Sequence, residues 1–357
     1  MKRILVTGSG GSPATGFVRS LRAAPEKMFL VGTDCNKFYL MRSETDVTFL
    51  VPRATERDYV DILNQIIEEN ELEFLHVQND AEMKFVSANR EKIKIVKFLP
   101  SKETVEICLN KMKSHERWID AGLKQPQTMM IDDEADLRIA FKEFGTPVWI
   151  RDTSGAGGRG SLPAKSVKIA KAWMDFKEGW GRYTAAEFLG NSESITWQSI
   201  WKDGKLIVAQ GRKRLYWELA KLAPSGISGA TGTGVTISDP QLDDIAQRAI
   251  LAISSRPNGI FSVDLTFDND GIPNPTEINI GRFFTTHELF TRAGLNMPYI
   301  VVKLGCGESI PEINPRLNPL MDNFAWIRGM DFTPVFTTMD EINSSIDILK
   351  QRRKRLE

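Results

Sequence analysis

Cysteine and histidine are scarce in this chain of 357 residues, and neither sign of charge is in excess. Cys35, Cys108 and Cys306 are an odd set, far apart and without Cys-x-x-Cys spacing, which excludes a thiolate zinc site and fits a reducing compartment. His76, His115 and His287 are as scattered, so a histidine metal cluster is excluded and each reads as a structural residue. With 46 basic and 46 acidic side chains the formal net charge is zero, and bulk electrostatics draw the chain to neither nucleic acid nor membrane. No apolar run approaches the ~18 residues of a membrane helix, and Met1-Lys2-Arg3 leads straight into a strand pattern, not a signal-peptide core. A cytoplasmic protein without nucleic-acid or membrane partners is expected. The length implies about two or three domains, each able to bury a core without disulfides.

What is present begins as strand, glycine turn and helix: Ile4-Leu5-Val6, then Gly8, Gly10, Gly11 and Gly16, then Phe17, Val18 and Leu21 at helical spacing. A second strand ends at Asp34, a helix runs through Tyr59, Ile62, Leu63, Ile66 and Ile67, and strands follow at Phe74 to Val77 and before Pro100. This alternation predicts a parallel, doubly wound sheet over residues 1–100. Residues 101–125 read as a helical connection, one helix running through Val105, Cys108, Met112 and Trp118 to a stop at Ala121-Gly122. The texture then becomes α+β. Over 126–190 a strand at Pro147 to Ile150 enters a glycine-rich stretch, and another covers Ala185 to Leu189. Over 191–330 Ile195 to Trp201 alternates with period two and meets the hairpin turn Lys202-Asp203-Gly204-Lys205. Residues 222–238 hold no charge and read as a long loop or lid, and 331–357 as a helical tail whose basic run, Lys350 to Arg355, is a solvated helix end.

Three clusters invite chemistry. Gly8-x-Gly10 with Asp34 downstream has the outline of a dinucleotide fingerprint, but Pro13 stands where its third glycine belongs, so an NAD-dependent oxidoreductase remains only an alternative. Ser154 to Gly160 holds four glycines directly after a strand ending in Arg151; bare N–H groups and a cation suit phosphate oxygens, while a plain surface hairpin is the other reading. It lacks the Gly-Lys-Ser/Thr of a Walker loop. Asp264 and Glu277 fall on adjacent strands with Asn279 on the face of Glu277, a hard oxygen set suited to magnesium, with Arg282 as a planar cation close by. A merely solvated hairpin is the competing reading.

In this order, over about residues 1–310, the pieces resemble the ATP-grasp superfamily, and within it the carbamoyl-phosphate synthetase large-subunit and biotin carboxylase type. The resemblance implies an α/β and α+β protein, with a Rossmann-like N-terminal domain before an ATP-grasp fold of two α+β lobes, 126–190 the smaller and 191–330 the larger. It implies ATP and magnesium. Asn110-Lys111 resembles the family's Asp-Lys that contacts ATP phosphates, Arg151 stands where a phosphate-binding lysine is usual, and Ser154, Gly155, Gly157 and Gly158 resemble the loop folding over the phosphates. Main-chain groups around Glu187, Phe188 and Leu189 would meet adenine, and Glu193 the ribose. Asp264, Glu277 and Asn279 would hold the metal, with Arg282 steadying the transferred phosphoryl group. Asp152 is a departure, an acid beside phosphates that must pair with Arg159 or point away.

The implied reaction is ATP-dependent joining of a carboxylate to an amine or thiol through an acyl phosphate, on small-molecule substrates, with a homodimer possible. Arg212, Lys213 and Arg214 are candidates to hold the substrate carboxylate, and Gln78-Asn79-Asp80-Ala81-Glu82 to line its cleft. A length near half that of a duplicated carbamoyl-phosphate synthetase favours a free-standing ligase; a fragment or subunit of such a synthetase and a non-catalytic nucleotide sensor are the alternatives.

Overall fold

The runs Ile4-Leu5-Val6 and Leu30-Val31 are buried on both faces, as central strands covered by helices on either side require. They belong to β1 (Lys2–Thr7) and β2 (Met28–Asp34), joined by α1 (Ser12–Arg22), whose Pro13 lies in the first turn where a missing N–H costs nothing. α2 (Lys37–Leu40), β3 (Val47–Leu50), α3 (Tyr59–Glu69), β4 (Phe74–His76), α4 (Asp80–Ala88) and β5 (Val96–Lys97) follow. The five strands are parallel in the order β3-β2-β1-β4-β5, so strand order reverses between β1 and β4 and opens a crevice at their carboxyl ends. In this computed structural model the described residues are 1–155, 157–158, 160–190, 193–329 and 332–356.

The stretch expected as one helix is two, α5 (Lys102–Cys108) and α6 (Lys111–Asp120). Asn110 breaks it: its side chain accepts from the N–H groups of Met112 and Lys113, both at 3.1 Å, and so caps a new helix with Lys111 in its first turn. A four-stranded antiparallel sheet then forms from β6 (Thr128–Ile131), β7 (Val148–Asp152), β8 (Leu162–Ala164) and β9 (Tyr183–Glu187), in the order β6-β9-β7-β8. α7 (Glu134–Phe144) and α8 (Val167–Lys177) cover it around Leu137, Val148, Ile150, Met174 and Ala185, a core separate from the rest.

The largest sheet is antiparallel. β10 (Ser194–Lys202) and β11 (Lys205–Trp217) turn at Asp203 and Gly204, both at positive φ as the hairpin reading requires. β12 (Thr231–Ile237) follows, then α9 (Pro240–Ile253), β13 (Gly259–Phe267) and β14 (Pro273–Ile280). The uncharged segment expected as one loop is therefore a loop only up to residue 230. One face of this sheet, with Trp197, Val263 and Ile278, packs on α9, where α6 also docks through the Trp118 indole N–H on the Ala249 carbonyl at 3.0 Å. The opposite face is divided. At one end Ile200, Val208 and Ile260 join Ile4, Val6 and Phe17 of the first unit in a second core; at the other end the side chains are polar, with Thr196 and Arg212 buried and Asp264 and Glu277 half-buried.

α10 (Glu288–Arg292) and α11 (Met297–Gly305) close that second core, and β15 (Ala325–Ile327) adds an edge beside β12, giving the order β14-β13-β10-β11-β12-β15. The last element is α12 (Met339–Lys354), whose basic run is exposed as expected from its charges except at Arg352. Arg352 is buried against Phe49 and paired with Glu69 at 2.7 Å, Arg353 pairs with Asp58 and Glu56, and Arg355 with Glu69, so the basic run is matched by acids of the first unit. The cysteines are free, and among the described residues no helix is long and apolar enough to cross a membrane.

Candidate active site

At the polar end of the large sheet, side chains two apart on each strand share a face, and register aligns them across strands. Glu277 stands opposite Asp264, Asp264 opposite Thr196, and Thr196 opposite Arg212, a row across β14, β13, β10 and β11. Asn279 lies beside the row and donates to Asp264 Oδ2 at 3.0 Å, while its carbonyl accepts from Arg282 at 2.6 Å. The first unit reaches in here: Asp80 at the start of α4 takes two hydrogen bonds from Arg282, at 2.5 and 3.1 Å, and the Gln78 amide donates to the Phe283 carbonyl at 2.9 Å. Burial opposes the charge on Arg282, but Asp80, Glu277 and Asp264 outweigh it and hold its pKa above the ordinary value.

Two carboxylates and an amide oxygen, all hard donors, fit magnesium, which takes one or two carboxylates and completes its shell with phosphate and water. Among the described residues no three His, Cys, Asp or Glu side chains gather as a metal cluster. Asn279 turns its amide nitrogen to Asp264 and its oxygen to Arg282.

On the other side of the row Arg212 and Arg214 are 1% and 8% exposed, yet among the described residues neither has a carboxylate within ion-pair distance. Their partners are hydroxyls: Thr196 at 2.7 Å and Thr231 for Arg212, Thr231 at 2.8 Å and Ser194 for Arg214. Burial lowers both guanidinium pKa values, that of Arg214 to about 10, and the charge of Arg214 lowers Arg212 further. Asp264 pulls on both guanidinium groups and Glu277 on Arg214, but neither carboxylate touches them, so two buried cations keep capacity for an anion. Lys213 points to the opposite face, where it pairs with Glu193 at 2.5 Å. Asp80 was a candidate for the cleft, whereas Thr196, Ser194 and Thr231 were not among the candidate residues. The alternation Ser194-x-Thr196-x-Gln198 against Ile195-x-Trp197 was the available signal.

Above the row lie the residues expected to meet a nucleotide. Lys111 Nζ is 2.7 Å from the Gly155 carbonyl and 3.4 Å from Glu277. Arg151 donates from both terminal nitrogens to the Thr276 carbonyl, at 3.2 and 3.3 Å, and burial lowers its pKa against the pull of Glu277. Asp152 turns aside to accept from the N–H of Ser154 at 2.9 Å and to pair with Arg182 at 3.3 Å; the expected partner Arg159, like Ala156, lies outside the described residues. Gly155, Gly157 and Gly158 are all at positive φ, and Gly157 and Gly158 meet the 225–230 loop so closely that a Cβ on Gly158 would fall 2.6 Å from the Ile227 carbonyl. At the edge, Glu187 and Phe188 are exposed and Leu189 half-buried, with the Phe188 ring 6.0 Å from that of Trp149.

The dinucleotide alternative meets an obstacle. Gly10 faces the α2 backbone, where even a Cβ would lie 1.9 Å from the Tyr39 carbonyl, and Asp34 is occupied by the N–H groups of Gly10 and Asn36 at 3.3 and 2.9 Å. The glycine at position 10 is thereby explained by the packing of α2 on the turn.

No family model matches the chain. Over 206 residues it is 25% identical to a D-alanine--D-alanine ligase of Nitrosospira multiformis; the match takes in 56% of this chain and 66% of the other, so the chain spans just under two thirds of that curated relative. Among solved structures, N5-carboxyaminoimidazole synthetase from Staphylococcus aureus, complexed with ADP, matches with a TM-score of 0.68 over 87% of this chain and 79% of the other, at 13% identity. The biotin carboxylase domain of 2-oxoglutarate carboxylase from Hydrogenobacter thermophilus, in complex with MgADP, ADP and bicarbonate, gives 0.66 over 87% and 71%, at 17% identity. These structural likenesses show a shared fold.

Proposed function

With the chain sharing the ATP-grasp fold of these enzymes, we propose that it is an ATP- and magnesium-dependent ligase joining a carboxylate to an amine through an acyl phosphate. One observation carries this reading: Asp264 and Glu277 stand in register beside Asn279 and Arg282, with Lys111 above them, at the open polar end of an otherwise buried sheet. An oxygen of the acceptor carboxylate attacks the γ-phosphorus of ATP, the bond from that phosphorus to the β–γ bridging oxygen breaks, and ADP leaves. The amine attacks the acyl carbon, phosphate departs with the electrons of the C–O bond, and the amine gives up a proton.

Asp264, Glu277 and Asn279 would hold magnesium, which when bound offsets phosphate charge. Lys111 and Arg151 neutralise the nucleotide from one side; Arg282, Arg212 and Arg214 stabilise the acceptor and the transferred phosphoryl group from the other. The loops at 155–158 and 225–230 exclude water from the acyl phosphate. Glu187, Phe188 and Leu189 would belong to the adenosine end, and the Rossmann-like first unit would shape the acceptor site through Asp80.

ADP release across a panel of carboxylate and amine pairs tests the reading. Glu277→Gln keeps the side-chain shape and removes one negative charge, so release is expected to fall about 100-fold or more while ATP affinity falls far less. Unchanged turnover in Glu277→Gln, or no magnesium-dependent ADP release by the wild type with any pair, overturns it.

A further inference from the structure

Thr196 lies on β10 with no exposed surface, between a metal-binding candidate and an anion-binding candidate. Its Oγ1 is 2.5 Å from Asp264 Oδ1 and 2.7 Å from Arg212 Nη2. The direction of both bonds is fixed by chemistry. A guanidinium only donates and a carboxylate only accepts, so the hydroxyl must accept from Arg212 and give its one hydrogen to Asp264. The other carboxylate oxygen of Asp264 takes the Asn279 amide, whose carbonyl in turn accepts from Arg282, itself held by Asp80. An unbroken chain of hydrogen bonds therefore runs from Asp80 through Arg282, Asn279, Asp264 and Thr196 to Arg212. Asp264 is pinned at both oxygens, and each keeps lone-pair capacity for a ligand.

We propose that Thr196 is a positioning residue: it sets the carboxylate plane of Asp264 for the metal and couples that ligand to Arg212. This rests on the reading of Asp264, Glu277 and Asn279 as the metal site. Groups that orient a metal ligand from behind change metal affinity by roughly 10–100-fold when removed. A valine at this position keeps the volume and β-branching but leaves Asp264 pinned at one oxygen and Arg212 without its shortest partner.

The experiment is calorimetric titration of Mn2+ into the full chain saturated with ADP, with the thermal unfolding midpoint followed in parallel. Thr196→Val is expected to weaken Mn2+ binding about tenfold or more with ADP affinity in the absence of metal unchanged, and Thr196→Ser, which keeps the hydroxyl, to stay within about threefold of the wild type. Thr196→Cys, close in volume and a weak donor, gives the same comparison if the valine variant does not fold. Equal Mn2+ affinity in the wild type and in the valine or cysteine variant overturns the role of Thr196 while leaving the metal site standing, as does a serine variant as weak as valine. Absence of Mn2+ binding in the wild type overturns the metal site, and the positioning role with it.

Discussion

His76 and His287 lie where the first unit meets the large sheet, stacked with Phe17 and Phe283: the rings of His76 and Phe17 are 3.7 Å apart and nearly parallel, those of His287 and Phe283 4.8 Å. His287 is neutral by construction, with Nδ1 2.7 Å from the Phe284 carbonyl, to which it must donate, and Nε2 buried without a hydrogen-bond partner among the described residues. Burial lowers the pKa of His76 to about 3 and that of His287 to about 4. The unfolded chain takes up both protons near pH 6.5 and the folded one does not, so each histidine lowers stability as pH falls from about 6.5 towards 4, by roughly 1.4 kcal/mol per pH unit. Glu82, whose carboxyl is pushed up by burial, acts with the opposite sign, so the prediction is a difference between two proteins. Unfolding midpoints between pH 7.5 and 5 should fall less steeply in His76→Phe, which keeps the stack, than in the wild type; parallel slopes would place the titration elsewhere. A structural role for these histidines was legible from their isolation in the sequence. Their shared stack was not, because residues 76 and 287 meet only through the fold.

Alternation made most elements legible, and the misreadings have physical causes. Apolar spacing continues from Val105 to Trp118, and only the capping bonds of Asn110 reveal that two helices meet there. In Thr231-Gly232-Thr233-Gly234 the glycines mimic a loop, yet they are strand residues made small by what crosses them. A Cβ on Gly232 would fall 2.1 Å from the Tyr216 ring, and one on Gly234 2.7 Å from Arg212 Cδ. Gly234 sits beside Arg214 in the ladder, so the bare backbone of β12 is what lets Arg212 lie flat over the sheet. Gly234→Ala needs no forbidden backbone angle, but its methyl group displaces Arg212 from Thr196. ADP release is expected to fall about tenfold, the scale on which small misplacements of a positioned group act, with the unfolding midpoint shifted by only a few degrees. Unaltered kcat and KM for the carboxylate would show that Arg212 tolerates the shift.

Between units, the sequence carried the order of the parts and said little about how they are bound together. The acidic part of the row was readable from spacing because strand pairing needs only period two, whereas Arg212 and Arg214 were named together with Lys213, which points to the other face. Asp80 on Arg282 and Gln78 on Phe283 required two distant segments to meet, which no local pattern encodes. The C-terminal helix is the largest such case. Its Arg352 side chain and Leu349 are buried against the first unit, Asn343 accepts from Lys37 at 2.7 Å, and Arg353 and Arg355 form half-exposed pairs with Glu56, Asp58 and Glu69. Ending the chain at residue 338 removes one fully buried aliphatic side chain, worth about 2 kcal/mol, and several exposed ion pairs worth up to ~1 kcal/mol each. The unfolding midpoint is expected to drop by several degrees at low ionic strength. At 1 M salt, where the Debye length falls to about 3 Å, the exposed ion pairs are weakened without being abolished, and the truncated and longer proteins should draw closer. Equal midpoints at low salt would mean that the helix rests on the first unit without holding it, whereas a salt-independent difference would assign the hold to Leu349 and the buried Arg352 alone.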